Sequence, residues 1–280
     1  MEKRENIFLK KSFVAITGAS RGIGRCMALQ FAVKFPPNSV LVLMARNEEA
    51  LESVRTELKA TTPNIIVLVR QYDQGKTDDE GYFNGIFDSL LTENKLSKDD
   101  FEQAMLVHNC GTIGDKEKTA LQLCDADRVR SYFDINLSGM ILLNTSFFAT
   151  FCDPTLSRVV INITSGASKV PTPSLHLYCS GKAAREMFFR VLSAEEPSIR
   201  VLIYAPGAVD TDMLRDLEGN SSSTPFRKVL NGLRQDGEIL TPEESVANLE
   251  RVLEDNAFKN ADHVDNYLLT AKPYIDKFLN

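Results

Sequence analysis

Two residues in the second half of the chain, Tyr178 and Lys182, are the strongest candidates for chemistry. Their spacing of four places both side chains on the same face of a helix, next to each other. A free tyrosine has a pKa of about 10, but a neighbouring ammonium group favours the ionised phenol and brings this pKa toward the working pH. The pair therefore indicates general acid–base catalysis, although a tyrosine and a lysine at this spacing also occur together by coincidence.

A serine upstream of this pair supports the catalytic interpretation. Ser165 follows a β-rich run at 158–163. At the carboxyl end of a strand in a doubly wound sheet, its hydroxyl group faces the ligand crevice and is placed to polarise a substrate carbonyl. We therefore predict that Ser165 and Tyr178 contact the substrate.

A glycine-rich segment near the amino terminus predicts a nucleotide site. It lies between a β-rich run at 13–17 and a helical pattern, and it consists of Gly18, Ala19, Ser20, Arg21, Gly22, Ile23 and Gly24. Glycines at such a point let the backbone turn sharply and approach a pyrophosphate, which then lies at the positive N-terminus of the helix. A tight turn without a ligand is the alternative, but the flanking strand and amphipathic helix favour a cofactor site.

Polar residues after the second and third strands indicate the kind of cofactor. Arg46 and Asn47 follow the second strand, where NAD-preferring sites carry an acid for the ribose 2′-hydroxyl. Arg46, together with Arg21, is suited to bind a 2′-phosphate, so we predict NADP(H); two solvated arginines are the alternative. Asp73 is placed to accept a hydrogen bond from the adenine amino group, but it also suits a turn.

The order of the elements predicts a doubly wound sheet. Six β-rich runs, at 13–17, 40–44, 65–69, 104–108, 158–163 and 200–204, alternate with helical patterns. Repeated units of this kind form a parallel sheet with helices on both faces. We predict a single Rossmann-like α/β domain over 1–280, with a cofactor half at about 10–115 and a catalytic and substrate half at about 116–280. The segment at 218–224 has loop composition and predicts either a mobile lid or an ordinary surface loop.

Composition excludes several classes of protein. The 280 residues carry a formal net charge of −6, which argues against a nucleic-acid partner. The cysteines show no C-x-x-C pair and no histidine at metal-ligand spacing, so we expect reduced thiols and no metal. The amino terminus lacks an apolar signal segment, no apolar run approaches the roughly 18 residues of a membrane span, and 277–280 is not a peroxisomal address. We expect a cytoplasmic protein without a membrane segment.

In order and spacing, the glycine motif, Asn136, Ser165 and the pair Tyr178 and Lys182 resemble the short-chain dehydrogenase/reductase superfamily over nearly the whole chain. The resemblance implies that Tyr178 donates a proton, Lys182 binds the nicotinamide ribose and lowers the tyrosine pKa, Ser165 orients the carbonyl, and Asn136 supports a proton-relaying water. It also implies that the cofactor and substrate contact residues after the fourth and sixth strands, namely Asn109, Gly111, Gly207, Val209, Asp210, Thr211, Asp212, Met213 and Leu214.

The chain departs from the superfamily pattern after its fourth strand. Where Asn-Asn-Ala-Gly is usual, it has His108, Asn109, Cys110 and Gly111. The departure removes no catalytic group, although it changes the packing around the nicotinamide and the adenine ribose. His108 is either a second acid–base group or, as we expect, a strand-end histidine with an ordinary hydrogen bond.

Longer segments resemble the sepiapterin reductase family, at 39–47, 114–115, 177–185 and 204–213. The segment 263–267, His-Val-Asp-Asn-Tyr, resembles the one whose aspartate holds the pterin ring. A pterin presents a ring N–H beside an exocyclic amino group, and these two parallel donors match one carboxylate, here that of Asp265. The resemblance implies NADPH-dependent reduction of the side-chain carbonyls of sepiapterin or 6-pyruvoyl-tetrahydropterin in tetrahydrobiopterin synthesis, by a homodimer that pairs helices near 129–151 and 177–192.

Two alternatives stay open. The first is a broad-specificity NADPH-dependent carbonyl or diketone reductase, in which Asp265 is an exposed acid without a role in binding. The second is a non-catalytic NADP-sensing protein on the same fold, which the presence of Ser165, Tyr178 and Lys182 together disfavours.

Overall fold

A single parallel sheet organises the chain. The computed structural model describes residues 4–79 and 81–266. Within them, the strands form one sheet of order β3-β2-β1-β4-β5-β6-β7, in which every pair is parallel. The strands are β1 Ser12–Thr17, β2 Val40–Ala45, β3 Ile66–Gln71, β4 Gln103–His108, β5 Ser157–Ile163, β6 Ile199–Ala205 and β7 His263–Asp265. The doubly wound α/β fold predicted from the sequence is confirmed.

Helices cover both faces of the sheet. They are α1 Gly22–Ala32, α2 Glu48–Thr61, α3 Ile86–Glu93, α4 Ala126–Phe133, α5 Gly139–Thr150, α6 His176–Glu195, α7 Asp212–Asn220, α8 Thr224–Gln235 and α9 Pro242–Asp255. Successive strand side chains point to opposite faces. In β1, Val14 and Ile16 therefore join the core beneath α1, α2 and α9, whereas Phe13 and Ala15 join the core beneath α3 and α5. Burial on both faces explains why these strands are continuous apolar runs.

The helix predicted near 129–151 is interrupted. Between α4 and α5, residues Asp134–Ser138 form a π-helical turn that contains Asn136. Such turns are uncommon and often occur at functional sites, because the extra residue displaces a side chain from the regular helical face. The second helix of the predicted pair, near 177–192, is α6.

The seventh strand has no counterpart among the six predicted runs. β7 is three residues long and pairs with β6 in the register Ile203 to His263 and Ala205 to Asp265. A three-residue strand is too short for an alternating pattern to be read from sequence. Its register places Asp265 at the carboxyl edge of the sheet.

The loop predicted at 218–224 is mostly helical. α7 continues to Asn220, and α8 begins at Thr224, so the connection is limited to 221–223. The apparent loop composition has two local causes: Ser223 caps α8 by accepting a hydrogen bond from the Phe226 amide, and Leu217 anchors α7 in the core. Ser221 is fully buried, and its hydroxyl lies 2.7 Å from that of Ser174. Two packed helices, not a loop, therefore cover this side of the crevice.

Part of the targeting prediction depends on residues outside the described ones. Residues 1–3, residue 80 and residues 267–280 are in this group, and they include Tyr267 and the C-terminal tetrapeptide. Among residues 4–79 and 81–266, no helix combines the length and the apolar character needed to span a bilayer.

Candidate active site

The carboxyl edge of the sheet brings the predicted site residues together. Ser165 follows β5, Gly207 follows β6 and Asp265 ends β7, so parallel pairing places all three at one edge. With Tyr178 they line a cavity of about 150 Å³. The other walls are apolar side chains from α7, α8 and the segment before α6, namely Leu175, Leu214, Leu217, Phe226 and Leu230. The cavity therefore joins a polar floor to an apolar roof.

Tyr178 and Ser165 lie within hydrogen-bonding reach of each other. Burial raises the pKa of Tyr178 above its ordinary value, although its hydrogen bond with Ser165 and the charge of Arg185 oppose this. The prediction that the Tyr178 pKa falls is therefore wrong for this structure, because burial outweighs the favourable charges. A phenol held in its neutral form is suited to donate a proton.

Lys182 lies beneath the tyrosine, one helical turn further along α6. Its Nζ donates to the Ile163 carbonyl at 2.8 Å and lies 5.4 Å from the centre of the Tyr178 ring. Burial and the neighbouring Arg185 hold the pKa of Lys182 well below its ordinary value. The predicted proximity of Tyr178 and Lys182 is therefore confirmed.

Asn136 is fixed within the π-helical turn. Its Oδ1 accepts from the Thr112 amide at 2.8 Å, and its Nδ2 donates to the Tyr132 carbonyl at 2.8 Å and to the Thr112 hydroxyl at 3.0 Å. These bonds attach the turn to the segment that follows β4. Gly111 lies on the same segment, where an added Cβ would come within 3.0 Å of the Asn136 Oδ1.

Arg185 is a supporting residue whose role was not predicted. It is fully buried, and its guanidinium donates to the Asn162 side chain at 2.9 Å and to the carbonyls of His108 and Asn136, each at 3.1 Å. Burial lowers its pKa to about 10. Arg185 thereby links the ends of β4 and β5 to the π-helical turn. The sequence feature that could have indicated this role is the position of Arg185, one helical turn after Lys182, in a segment that the sequence analysis assigned to the site.

His108 is part of the core. Its Nε2 lies 3.3 Å from Asn144 Oδ1, and the residue has no exposed surface. Burial, reinforced by the charge of Arg185, lowers its pKa to about 3, so the imidazole is neutral at physiological pH. The predicted ordinary hydrogen bond is confirmed, and the burial of His108 leaves it out of the cavity.

The glycine-rich turn from Gly18 to Gly24 connects β1 to α1. Gly18 and Gly22 have φ values of +70° and +55°, a region that favours glycine. A Cβ on Gly24 would lie 2.2 Å from the Gly18 carbonyl oxygen. α1 begins without a side-chain cap and without an acid in its first turn, so its amino-terminal N–H groups suit a pyrophosphate. Asn109 steadies this turn by donating to the Thr17 carbonyl at 3.0 Å.

Of the other predicted cofactor residues, Arg46 and Arg21 are exposed arginines, whereas Asn47 and Asp73 accept hydrogen bonds from nearby backbone amides. Arg46 is exposed just beyond β2, and Arg21 forms an exposed ion pair of 2.9 Å with Asp212. Asn47 caps α2 through the Ala50 amide, and the Asp73 carboxylate accepts from the Gly75 amide at 3.0 Å. This bond fits the turn-forming alternative for Asp73.

The predicted residues of the segment after β6 fall into two groups, those that line the cavity and those that form ion pairs. Val209, Thr211, Met213 and Leu214 line the cavity, whereas the Asp210 carboxylate forms ion pairs with Arg215 and Arg234. The segment is held in place at its start, because the Pro206 carbonyl accepts from Ser245 at 2.8 Å and from Asn266 at 3.1 Å. Gly207 follows with φ of +86°.

Asp265 enters the cavity beside two buried partners. It is nearly fully buried, and its Oδ2 lies 3.7 Å from His263 Nε2. The opposite imidazole nitrogen, Nδ1, lies 2.9 Å from the Glu186 carboxylate. The alternative in which Asp265 is an exposed acid is wrong, because β7 carries it into the sheet edge.

Fold and site define a nicotinamide-type oxidoreductase scaffold, and comparison with known proteins agrees. The profile of the short chain dehydrogenase family matches residues 12–221. Sepiapterin reductase of Bos taurus is 38% identical over 260 residues, covering 92% of this chain and 96% of that protein. The chain therefore belongs to the short-chain dehydrogenase family, and within it to the sepiapterin reductase group.

Two more distant proteins extend the comparison. Benzil reductase ((S)-benzoin forming) of Bacillus subtilis (strain 168) is 26% identical over 247 residues, covering 85% of this chain and 92% of that protein. The crystal structure of the KRED1-Pglu enzyme superposes with a TM-score of 0.75 at 25% identity, covering 91% of this chain and all of that one. The similarity therefore extends over most of the chain.

Proposed function

We propose that this protein is an oxidoreductase that reduces the side-chain carbonyls of a pterin, with sepiapterin or 6-pyruvoyl-tetrahydropterin as substrate. The observation that carries the proposal is the convergence of Ser165, Tyr178 and Asp265 on one cavity. Similarity to sepiapterin reductases over most of the chain supports the same substrate class. The reaction belongs to tetrahydrobiopterin synthesis.

Residues of this chain provide the acid and the carbonyl contacts. When bound, the reduced nicotinamide supplies hydride to the carbonyl carbon. The Ser165 hydroxyl donates a hydrogen bond to the carbonyl oxygen and stabilises the developing negative charge, and Tyr178 transfers its proton to the same oxygen. At neutral pH Tyr178 is protonated and therefore carries the proton that it transfers. Lys182 lies with its Nζ 5.4 Å from the centre of the Tyr178 ring, and Asn136 and Arg185 hold the surrounding backbone.

The nicotinamide cofactor in this proposal is NADP(H). The uncapped start of α1 and the glycine turn fit the pyrophosphate. Arg46, exposed beyond β2, and Arg21 supply guanidinium groups where an acid would favour NAD(H). A 2′-phosphate would compete with Asp212 for Arg21.

Asp265 orients the ring in this proposal. One carboxylate accepts two parallel hydrogen bonds, from the ring N–H and from the exocyclic amino group of the pterin. With the ring anchored at β7, the ketone on its side chain extends toward Ser165 and Tyr178. The apolar roof of the cavity packs against the ring faces.

We further propose a cytoplasmic homodimer. The exposed faces of α5 and α6 carry Leu142, Met187 and Val191, which are 41%, 58% and 46% exposed. Burying such side chains against a second copy is favourable. The cysteines are all unpaired, including the exposed Cys124 and Cys152, as expected in a reducing compartment.

The test compares sepiapterin with a simple non-pterin diketone, following NADPH oxidation by the wild-type protein and by Asp265→Ala. We expect kcat/KM for sepiapterin to fall about a hundredfold in the variant, because two hydrogen bonds to a charged group are lost. Turnover of the diketone stays unchanged. Asp262→Ala, which removes an exposed acid three residues away, is the matched control. Equal behaviour of wild type and Asp265→Ala on both substrates contradicts the pterin assignment.

The second candidate is a general diketone reductase. The apolar roof of the cavity and the similarity to a benzil reductase favour it. In that case the diketone, not sepiapterin, is the better wild-type substrate, and Asp265→Ala leaves the ranking of the two unchanged.

A further inference from the structure

β7 presents two titratable side chains to the same side of the sheet edge. His263 and Asp265 are two residues apart on one strand, so their side chains share a face, while Val264 packs on the opposite side against the core. The His263 side chain is 3% exposed. A histidine in this position contacts other buried groups and not solvent.

The partner of His263 on its other side is Glu186 of α6. The Glu186 carboxylate accepts from His263 Nδ1 at 2.9 Å, from the Thr164 hydroxyl at 2.7 Å and from the Ser168 hydroxyl. Arg190 forms a longer ion pair with it at 3.4 Å. Although burial favours the neutral acid, these hydrogen bonds lower the pKa of Glu186. Glu186 is therefore an ionised and fixed support.

The imidazole thus lies between two carboxylates. Nε2 is 3.7 Å from the Asp265 Oδ2, which is an ion-pair distance and longer than a hydrogen bond. A neutral imidazole has one N–H and can serve only one carboxylate, whereas an imidazolium serves both. Burial and Lys169 oppose protonation, but Asp265 and Glu186 outweigh them, so the pKa of His263 is raised.

We propose that His263 is the positioning residue of the pterin anchor: braced by Glu186 through Nδ1, it holds the Asp265 carboxylate directed into the cavity through Nε2. The proposal rests on the proposed function and adds a residue that does not itself touch the substrate. It links the substrate anchor to the segment that carries Ser165, because Thr164 and Ser168 also bind Glu186. Selectivity for a pterin therefore depends on a charge that lies behind the cavity wall.

The first experiment replaces His263 with two amides of different reach. The amide nitrogen of Asn takes the position of Nδ1, and that of Gln takes the position of Nε2. We expect His263→Asn to raise KM for sepiapterin about tenfold, because the Asp265 carboxylate loses its ion-pair partner at Nε2, with kcat nearly unchanged. His263→Gln restores a donor to Asp265 and returns KM to within about threefold of wild type. Neither variant changes kcat/KM for the non-pterin diketone.

The pH dependence separates positioning from packing. As pH rises through the raised pKa of His263, the imidazolium loses the proton that serves Asp265, so the wild-type KM for sepiapterin rises while that for the diketone does not. His263→Asn lacks this step and has the higher KM throughout. Titration of the substrate itself is common to all variants, so the ratio of variant to wild-type KM isolates the histidine.

The outcomes distinguish this proposal from the proposed function. If the wild type does not reduce sepiapterin, the proposed function fails. If Asp265→Ala loses the pterin reaction but His263→Asn keeps the wild-type KM and pH profile, the function stands and the positioning role is overturned. Equal losses on both substrates in both His263 variants also overturn it, because they indicate a purely structural histidine. If His263→Asn does not fold, Glu186→Gln takes its place, and an unchanged sepiapterin KM and pH profile in that variant overturns the role.

Discussion

The two edges of the sheet both contain buried cations but use them differently. At the amino edge, Arg200 donates to the Asn256 side chain at 2.8 Å and to the carbonyls of Asn256 and Phe258, just beyond the end of α9. Arg158 donates to the Ser198 hydroxyl at 2.6 Å. At the carboxyl edge, Lys182 donates to one carbonyl beneath Tyr178, whose ring lines the cavity.

The difference follows from helix direction. In a doubly wound sheet, the helices end at the amino edge and begin at the carboxyl edge, so carbonyl groups collect at one and N–H groups at the other. At the amino edge, Arg200 donates mainly to carbonyl groups and Arg158 to a serine hydroxyl, and both stabilise the fold. At the carboxyl edge the uncapped start of α1 leaves donors for an anionic ligand. The buried arginines of the amino edge therefore support the fold, whereas at the carboxyl edge a structural cation, Arg185, lies close to Lys182, which borders the candidate site.

The largest effect expected from this comparison is that of Tyr178→Phe. Removal of the proton donor lowers kcat for both sepiapterin and the diketone about a thousandfold, within the range typical of general acids. Because the ring is kept, thermal stability and NADPH binding remain at wild-type values. Steady-state kinetics with both substrates, and fluorescence titration of NADPH, measure these quantities. A variant with more than a tenth of wild-type kcat contradicts the assignment of the acid.

Arg200→Met tests the opposite edge. Loss of the guanidinium leaves the Asn256 and Phe258 carbonyls without their donor, so the free energy of unfolding falls by about 3 kcal/mol. Urea unfolding measures the change, with Arg251→Met as the exposed control for the same substitution. The kcat/KM of the folded fraction stays at the wild-type value. A loss of activity greater than the loss of folded protein means that this edge also serves catalysis.

Arg46→Gln gives the smallest effect. We expect KM for NADPH to rise about tenfold and KM for NADH to remain the same, because one charge-assisted contact to the 2′-phosphate is removed. The control is Lys59→Gln, which removes an exposed cation from α2. A parallel rise in KM for both cofactors indicates that Arg46 contacts a group that they share.

Structural features that depend on the local order of residues could be predicted from sequence patterns. The first six strands are long apolar runs, and the site residues follow them at strand ends, so both the fold and the neighbourhood of Ser165, Tyr178 and Lys182 could be predicted. β7 could not, since three residues carry no periodicity and pair across about sixty residues of chain. The direction in which the pKa of Tyr178 shifts, and the partners of Arg185 and His263, depend on burial in the tertiary structure. The spacing of residues in the sequence carries no information about this burial.

The interrupted helix and the misread loop show the same limit on a smaller scale. Nothing in the apolar pattern distinguishes a π-helical turn at Asp134–Ser138 from regular helix. At 218–224, Gly219 and the serines resemble a loop, but Leu217 and the Ser223 cap place helix ends there. Capping residues and loop residues are of the same types, so composition alone does not separate them.

The side chain that β7 presents to the cavity depends on the register in which this short edge strand pairs with β6. Among residues 4–79 and 81–266, β7 pairs with β6 alone, and it carries Asp265, whereas Ser165 and Tyr178 lie on other segments. A slip of one residue would exchange the carboxylate for Val264, because side chains alternate along a strand. Replacing the three residues of β7 would therefore change the side chain at the cavity wall without replacing Ser165, Tyr178 or Lys182.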